Sequence, residues 1–129
     1  MILEGLLSVV NPVTICLILA GVVIGIIFGS IPGLTSTMAV ALCLPLTYGM
    51  SPVDGIGMLI GLYVGGTSGG LISAILLKIP GTPSSVATTF DGSPMAERGK
   101  AGKALGIGIF YSFWGTVLSI LALIFIAPS

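Results

Sequence analysis

Hydrophobic residues along the chain form long uncharged blocks that short polar stretches separate. No charged residue lies between Glu4 and Asp54, and the blocks 55–77 and 104–129 also carry none. A bilayer core of about 30 Å requires about 20 apolar residues for each helix that crosses it. The first block is long enough for more than one crossing, and each of the other two for one. The pattern therefore predicts an all-α polytopic membrane protein.

Composition and charge agree with this class. Hydrophobic residues make up 55% of the 129 residues and charged residues 6%, whereas a soluble globular domain carries about 25% charged residues to cover its wet surface. The formal net charge is zero, so nothing indicates nucleic acid as a partner. Cys16 and Cys43 lie inside apolar blocks without metal or redox spacing, and we interpret them as small buried side chains.

The chain is expected to form a single membrane domain over 1–129, divided at proline- and glycine-rich turns. Apolar side chains recur at helical spacing near the start and predict an amphipathic helix at the membrane interface. The segments are an interfacial helix at 1–11, a span at 12–31, a half-helix or span at 34–48, a span at 53–78, a broken helix with a charged loop at 79–103, and a span at 104–127. Because no polar tail follows the last apolar block, we expect a fragment of a longer protein.

Two glycine ladders mark the faces on which these helices are expected to pack. The ladders are Gly21, Gly25 and Gly29 in the first span and Gly57, Gly61, Gly65 and Gly69 in the 53–78 span. Small residues at every fourth position allow two helices to approach closely. The run 65–70 consists of glycine and hydroxyl residues, which are poor helix formers, and it predicts an unwound stretch within the span.

Two Pro-Gly breaks interrupt the apolar blocks, and the residues that follow them are alike. The first break comprises Pro32, Gly33, Thr35 and Ser36, and the second comprises Pro80, Gly81, Thr82, Ser84 and Ser85. Paired interruptions of apolar segments are the strongest sequence indication of a transporter binding site. We therefore predict that both breaks contribute to substrate binding. The alternative is that these residues only kink and pack the helices.

The second break has the chemistry of an anion site. Thr82-Pro83 combines an N-cap residue with a first-turn proline and predicts the start of a helix. The free amides and positive dipole end of that start suit a carboxylate, and the hydroxyl groups of Ser84 and Ser85 add donors. Lys78, just before the break, is interpreted as an interfacial anchor, with a charge contact to the substrate as the alternative.

The glycine-rich run predicts a cation site. Unwinding would free carbonyl groups at Gly66 and Gly69, which together with the hydroxyl groups of Thr67 and Ser68 suit a small cation such as sodium. Gly66-Thr67-Ser68-Gly69-Gly70 also fits the nucleophile pattern of hydrolases, but the chain has no histidine to act as its base. The sequence therefore predicts no catalytic residues, no enzyme activity and no metal site.

Basic residues indicate the orientation of the protein in its membrane. Arg98, Lys100 and Lys103 concentrate between two apolar blocks, and short loops rich in such residues remain in the cytoplasm. The loop 91–103 is therefore predicted to be cytoplasmic.

An ordered set of motifs resembles the large membrane subunit of the tripartite tricarboxylate transporters. The matching segments are Gly29–Leu34, Leu44–Thr47 with Ser51-Pro52, Gly61–Gly66, Gly69-Gly70, Ile79–Gly81, Asp91–Ala96, Gly99–Ala101 and Ala104–Gly106. Their order and spacing correspond to the N-terminal part of that many-span subunit. One departure is Gly66-Thr67-Ser68, where the family pattern has a larger residue before the Gly-Gly pair, and this leaves the substrate open.

The resemblance implies a function for the whole transporter. It implies uptake of small organic di- or tricarboxylates across the bacterial inner membrane, with Na⁺ or H⁺ as coupling ion and no other cofactor. It also implies a small membrane subunit and a periplasmic substrate-binding protein as partners. Two other classes stay open on the residues alone, namely an ion channel or pore subunit and a helical membrane scaffold without transport activity.

Overall fold

The computed structural model describes residues 1–128, which form an all-helical structure without strands. The α-helices are α1 (Ile2–Val9), α2 (Pro12–Ser30), α3 (Ser36–Cys43), α4 (Pro52–Leu77), α5 (Val86–Glu97) and α6 (Ala101–Ile126). Short 3-10 helices extend α3 (Leu44–Gly49) and lead into α5 (Pro83–Ser85). Helices α2, α4 and α6 are long and apolar enough to cross a membrane. The predicted fold class is confirmed.

The long helices begin at residues whose side chains cap them. The Asn11 side chain accepts a hydrogen bond from the Val13 amide at 3.4 Å, and the Ser51 hydroxyl accepts one from the Asp54 amide at 3.3 Å. A proline follows each cap, where its missing N–H costs no intrahelical bond. These local signals fix the starts of α2 and α4.

Helices α2 and α4 pack in parallel through their glycine ladders. Gly21 faces the Met58 carbonyl group, and further along the two helices Gly29 faces Gly66. A methyl group at either glycine would overlap the backbone of the facing helix. The ladders therefore act as the spacing predicts, because they bring two backbones into direct contact.

The predicted unwinding at 65–70 is wrong, because α4 is one continuous helix from Pro52 to Leu77. Gly65 packs against the Val22 backbone and Gly69 against the Ile26 carbonyl group. Tertiary packing of this kind outweighs a low intrinsic helix propensity, which costs only about 1 kcal/mol for each glycine.

Helix α3 and its 3-10 extension return antiparallel to α4. Ser36 at the start of α3 packs on Gly66, whereas Thr47 in the extension lies against Gly55. The α-helical part has 8 residues and the 3-10 part 6, which together rise about 24 Å. The returning segment is therefore shorter than the core of a bilayer.

The charged loop predicted at 91–103 is mostly helix. Residues 91–97 belong to α5, and residues 98–100 alone connect it to α6. The helix is held against α4 because the buried Ser93 hydroxyl donates to the Ala74 carbonyl oxygen at 2.8 Å. Gly92 allows this approach, since a Cβ there would lie 2.7 Å from the Ile75 side chain.

Candidate functional site

A cleft of about 520 Å³ lies between α4, the start of α5 and α6. Its polar lining consists of hydroxyl residues, which are Thr67, Ser68, Ser84, Thr88, Ser112, Thr116 and Ser119. Val64, Leu71 and Ile120 supply apolar wall around them. The cleft thus joins one residue of the second break to the predicted cation segment, although the two are distant in sequence.

The hydroxyl groups of the cleft differ in how far the protein already uses them. Thr67 donates to the Val64 carbonyl oxygen at 2.9 Å, and Thr116 donates to the Ser112 carbonyl oxygen at 2.8 Å. The Ser84 hydroxyl lies 3.0 Å from that of Thr82. Within residues 1–128, no side-chain hydrogen bond engages the hydroxyl groups of Ser68, Thr88, Ser112 and Ser119. These groups are available to a ligand.

The hydroxyl residues of the second break have two roles, since Thr82 and Ser85 bond to each other and Ser84 faces the cleft. The Thr82 amide donates to the Ser85 hydroxyl at 3.1 Å, and that hydroxyl donates to the Thr82 carbonyl oxygen at 2.8 Å. Both residues are buried, whereas Ser84 is exposed and faces the cleft. The helix start predicted at Thr82 is present. Ser85 stabilises this start and does not line the cleft.

Pro80 and Gly81 set the path of the chain into this helix start. Gly81 is buried, and a Cβ there would lie 2.8 Å from the Gly29 carbonyl oxygen. Pro80 is exposed and lies in the non-helical link between α4 and the Pro83–Ser85 turn. Neither residue lines the hydroxyl cleft.

The first break lies next to the second but outside the cleft. Pro32 and Gly33 are exposed, and Gly33 has a φ of 93°, which favours glycine. Thr35 caps α3 by accepting from the Met38 amide at 3.2 Å, while Ser36 is buried against Gly66. Gly66 and Gly70 lie one turn apart on α4, and Gly70 contacts Thr82. The two breaks therefore meet on one face of α4.

The predicted cation segment offers side-chain hydroxyl groups but not the freed carbonyl groups that were expected. Because α4 is continuous, the carbonyl groups of 66–69 remain within the helix and form no cage. Gly66 and Gly69 pack against Ser36 and the end of α2, respectively, whereas Thr67 and Ser68 face the cleft. Within residues 1–128, no cluster of three or more His, Cys, Asp or Glu residues has the placement of a metal site.

Charged side chains lie outside the hydroxyl cleft. Lys78 ends α4 in the left-handed conformation, with a φ of 58°, and forms an ion pair with Glu97. Asp54 lies at the other end of α4, where its carboxylate accepts from Thr14 at 2.6 Å and from Ser51 at 2.7 Å. Each of these charges is thus engaged at a helix end.

Sequence reasoning missed the wall of the cleft that α6 contributes. Ser112, Thr116 and Ser119 recur at helical spacing within an otherwise apolar block. This polar stripe on one face of a membrane helix was a signal that the site faces α6. Thr88 was missed because only the first-turn hydroxyl residues of the second break were predicted to bind, although Thr88 lies about one helical turn after Ser84.

Three long apolar helices, two of them packed through glycine ladders, define a helical membrane protein. The sequence matches the tripartite tricarboxylate transporter TctA family over residues 15–129. The chain belongs to this family, and the resemblance drawn from its motifs is confirmed. Members of this family are transporter subunits and not enzymes.

The chain also matches part of a longer curated protein. The chain is 39% identical over 124 residues to an uncharacterized 52.8 kDa protein in the TAR-I ttuC' 3' region of Agrobacterium vitis. The alignment covers 96% of the chain and 25% of the relative, so the chain spans about a quarter of that protein's length. No solved structure matches the chain significantly.

Proposed function

We propose that the chain is part of the membrane subunit of a binding-protein-dependent, cation-coupled importer of small organic di- or tricarboxylates, and that the hydroxyl cleft binds a carboxylate group of the substrate. Family membership supports the transport role. The main observation in support of the site is the cluster of hydroxyl groups, several of which have no side-chain hydrogen bond within residues 1–128, among long apolar helices.

A carboxylate in this cleft would find donors but no basic side chain. The hydroxyl groups of Ser68, Thr88 and Ser112 face the cleft, and Ser84 lies in the first turn of the helix that leads into α5. The first amides of a helix have no intrahelical partner and favour an anion. Each hydrogen bond to a charged group contributes about 1.5–3 kcal/mol. A few such bonds suffice to select a carboxylate.

The lack of a basic residue in the cleft also supports coupling to a cation. Removing an unpaired charge from water is costly, so a carboxylate at this depth needs a counter-charge. A co-transported Na⁺ or H⁺ supplies one, and the hydroxyl groups of Thr67 and Ser68 are oxygen ligands next to the proposed carboxylate position. We therefore retain these residues as the cation-binding part of the proposal, while Gly66 and Gly69 pack the helix that carries them.

The remaining proposed site residues do not line the cleft and support the segments around it. Thr82 and Ser85 hold the helix start on which Ser84 lies. Pro32, Gly33, Thr35 and Ser36 turn α2 into α3 beside Gly66. The proposed setting is the bacterial inner membrane, with a small membrane subunit and a periplasmic substrate-binding protein as partners.

The proposal is tested by Ser84→Ala combined with Thr88→Val in the complete transporter. We expect the apparent affinity for the carboxylate to fall about tenfold or more, because two donors to an anion are lost. Ser8→Ala is the matched control, since this hydroxyl donates to the Gly5 carbonyl oxygen and lies outside the cleft. The measurement is uptake kinetics at verified membrane abundance. Unchanged affinity in the double variant would remove the cleft as the carboxylate site, and flux that does not saturate would favour a pore.

A further inference from the structure

Helices α4 and α6 define the height of the apolar part of the molecule. Each has 26 residues, which corresponds to about 39 Å. They run antiparallel, since Leu71 lies near Gly108 while Val64 and Thr116 share the cleft. Along α6 the apolar side chains are exposed from Ile107 to Ile126, so about 29 Å of this height requires an apolar surrounding.

Helix α2 begins beside one end of α4 and ends about halfway along it. It begins beside the Asp54 end of α4, where Thr14 contacts Asp54, and its last glycine, Gly29, faces Gly66. Gly66 lies midway along α4 between Asp54 and Lys78, about 18 Å short of Lys78. Helix α3 and its 3-10 extension then return to the same end. Residues 12–49 thus enter and leave on the side of Asp54.

The second break enters from the opposite end. After Lys78 the chain turns back, and Thr82 lies against Gly70, about 12 Å below Lys78 along the helix. Residues 79–82 are not helical, and Thr82 has an extended backbone, so this short link is long enough to cover that distance. Helix α5 then rises parallel to α4, and Glu97 at its end pairs with Lys78. The ion pair joins the entry and the exit of this segment.

We propose that residues 12–49 and 79–97 are two re-entrant segments, which enter the membrane from opposite sides and end at one depth. In this arrangement α5 separates the hydroxyl cleft from the aqueous side on which Lys100 lies. The cleft begins where α5 begins, since Ser84 and Thr88 are the residues of this segment that line it. Closer to Lys100, α5 itself occupies the space beside α4, where Ser93 bonds to Ala74. The barrier role rests on the proposed function, whereas the opposite entry of the segments does not.

Single cysteines in the complete transporter test both the opposite entry of the two segments and the barrier role of α5. Cys16 and Cys43 are first replaced by alanine, and membrane-impermeant thiol reagents are applied to each side of sealed vesicles. Gly49→Cys and Gly102→Cys report the two sides, because a side chain at either glycine meets no neighbour within 4 Å. Thr35→Cys and Thr37→Cys report the tip of the first segment, and Ser84→Cys reports the second.

The expected labelling pattern distinguishes re-entrant segments from segments that cross the membrane completely. Gly49→Cys and Gly102→Cys label from opposite sides, and cysteines at 35 and 37 do not label from the Gly102 side. Ser84→Cys labels from that side at least about tenfold more slowly than Gly102→Cys, because α5 must open first.

Two results would overturn the inference. If the cysteines at 35 and 37 react from the Gly102 side as fast as Gly102→Cys, then α2 crosses the membrane completely and the first segment is not re-entrant. If Ser84→Cys reacts from the Gly102 side as fast as Gly102→Cys, then α5 does not separate the cleft from that side. Labelling needs no substrate, so a failure of the proposed carboxylate site in uptake measurements would leave this topology unaffected.

Discussion

At the scale of the residue, Ser84 and Ser85 show how adjacent side chains of one type take different roles. The Ser85 hydroxyl both accepts from the Thr82 amide and donates to its carbonyl oxygen, and the residue is buried. Ser84 is exposed and faces the cleft. The sequence could predict a helix start here with two hydroxyl residues, but not which of them the fold itself uses, since that depends on the direction of the turn.

This division predicts separable effects of two single substitutions. Ser85→Ala leaves the buried Thr82 amide without its acceptor, which costs about 1–3 kcal/mol of folding free energy. We expect a lower thermal unfolding temperature with little change in apparent substrate affinity. Ser84→Ala is expected to give the reverse, namely weaker affinity and unchanged stability. Thermal unfolding in detergent and uptake kinetics measure the two effects, and an affinity loss confined to Ser85→Ala would contradict the assignment.

At the scale of the element, the helix start at Thr82-Pro83 could be predicted because its signal is local, a capping residue followed by a first-turn proline. Asn11-Pro12 and Ser51-Pro52 begin α2 and α4 in the same way. The continuity of α4 could not be predicted in this way. Its glycine-rich middle is helical because α2 lies against it, and the pairing of two ladders is a tertiary property. The extent of α5 was missed for the same reason, since the sequence predicted its start at Thr82 but not that contacts with α4 would keep residues 91–97 helical.

The packing of α2 on α4 predicts that one added methyl group at the interface forces the two helices apart. In Gly25→Ala the new methyl group would overlap the Leu62 carbonyl oxygen, and overpacking of this kind costs about 1–3 kcal/mol or more. Gly106→Ala is the matched control, because nothing lies within 4 Å of a Cβ there, and it should stabilise α6 by about 0.5–1 kcal/mol. Thermal unfolding of the complete subunit in detergent distinguishes them. Equal stability of the two variants would show that the ladder is not a contact surface.

At the scale of the whole molecule, large apolar side chains cover much of the exposed surface, while the charges other than Asp91 lie at or near helix ends. Helix α6 buries almost none of its side chains among residues 1–128, and its outer face carries Phe110, Phe113 and Trp114 exposed. Asp54 marks one end of the apolar height and Lys78 the other. The structure therefore adds to the sequence a definite axis, with α2 and α4 starting together at one end and the basic turn at 98–100 at the other.

That axis makes the orientation of the protein testable with one pair of variants. Arg98, Lys100 and Lys103 cluster at the end where α5 and α6 meet, and short basic loops are retained in the cytoplasm. After replacement of both native cysteines, Gly102→Cys should therefore resist membrane-impermeant thiol reagents in intact cells and react once the cells are opened. Gly49→Cys, at the opposite end, should react in intact cells. Both glycines are exposed and free of neighbours, so a difference between them reports sidedness and not local packing. The reverse pattern would place the basic turn outside and invert the protein in its membrane.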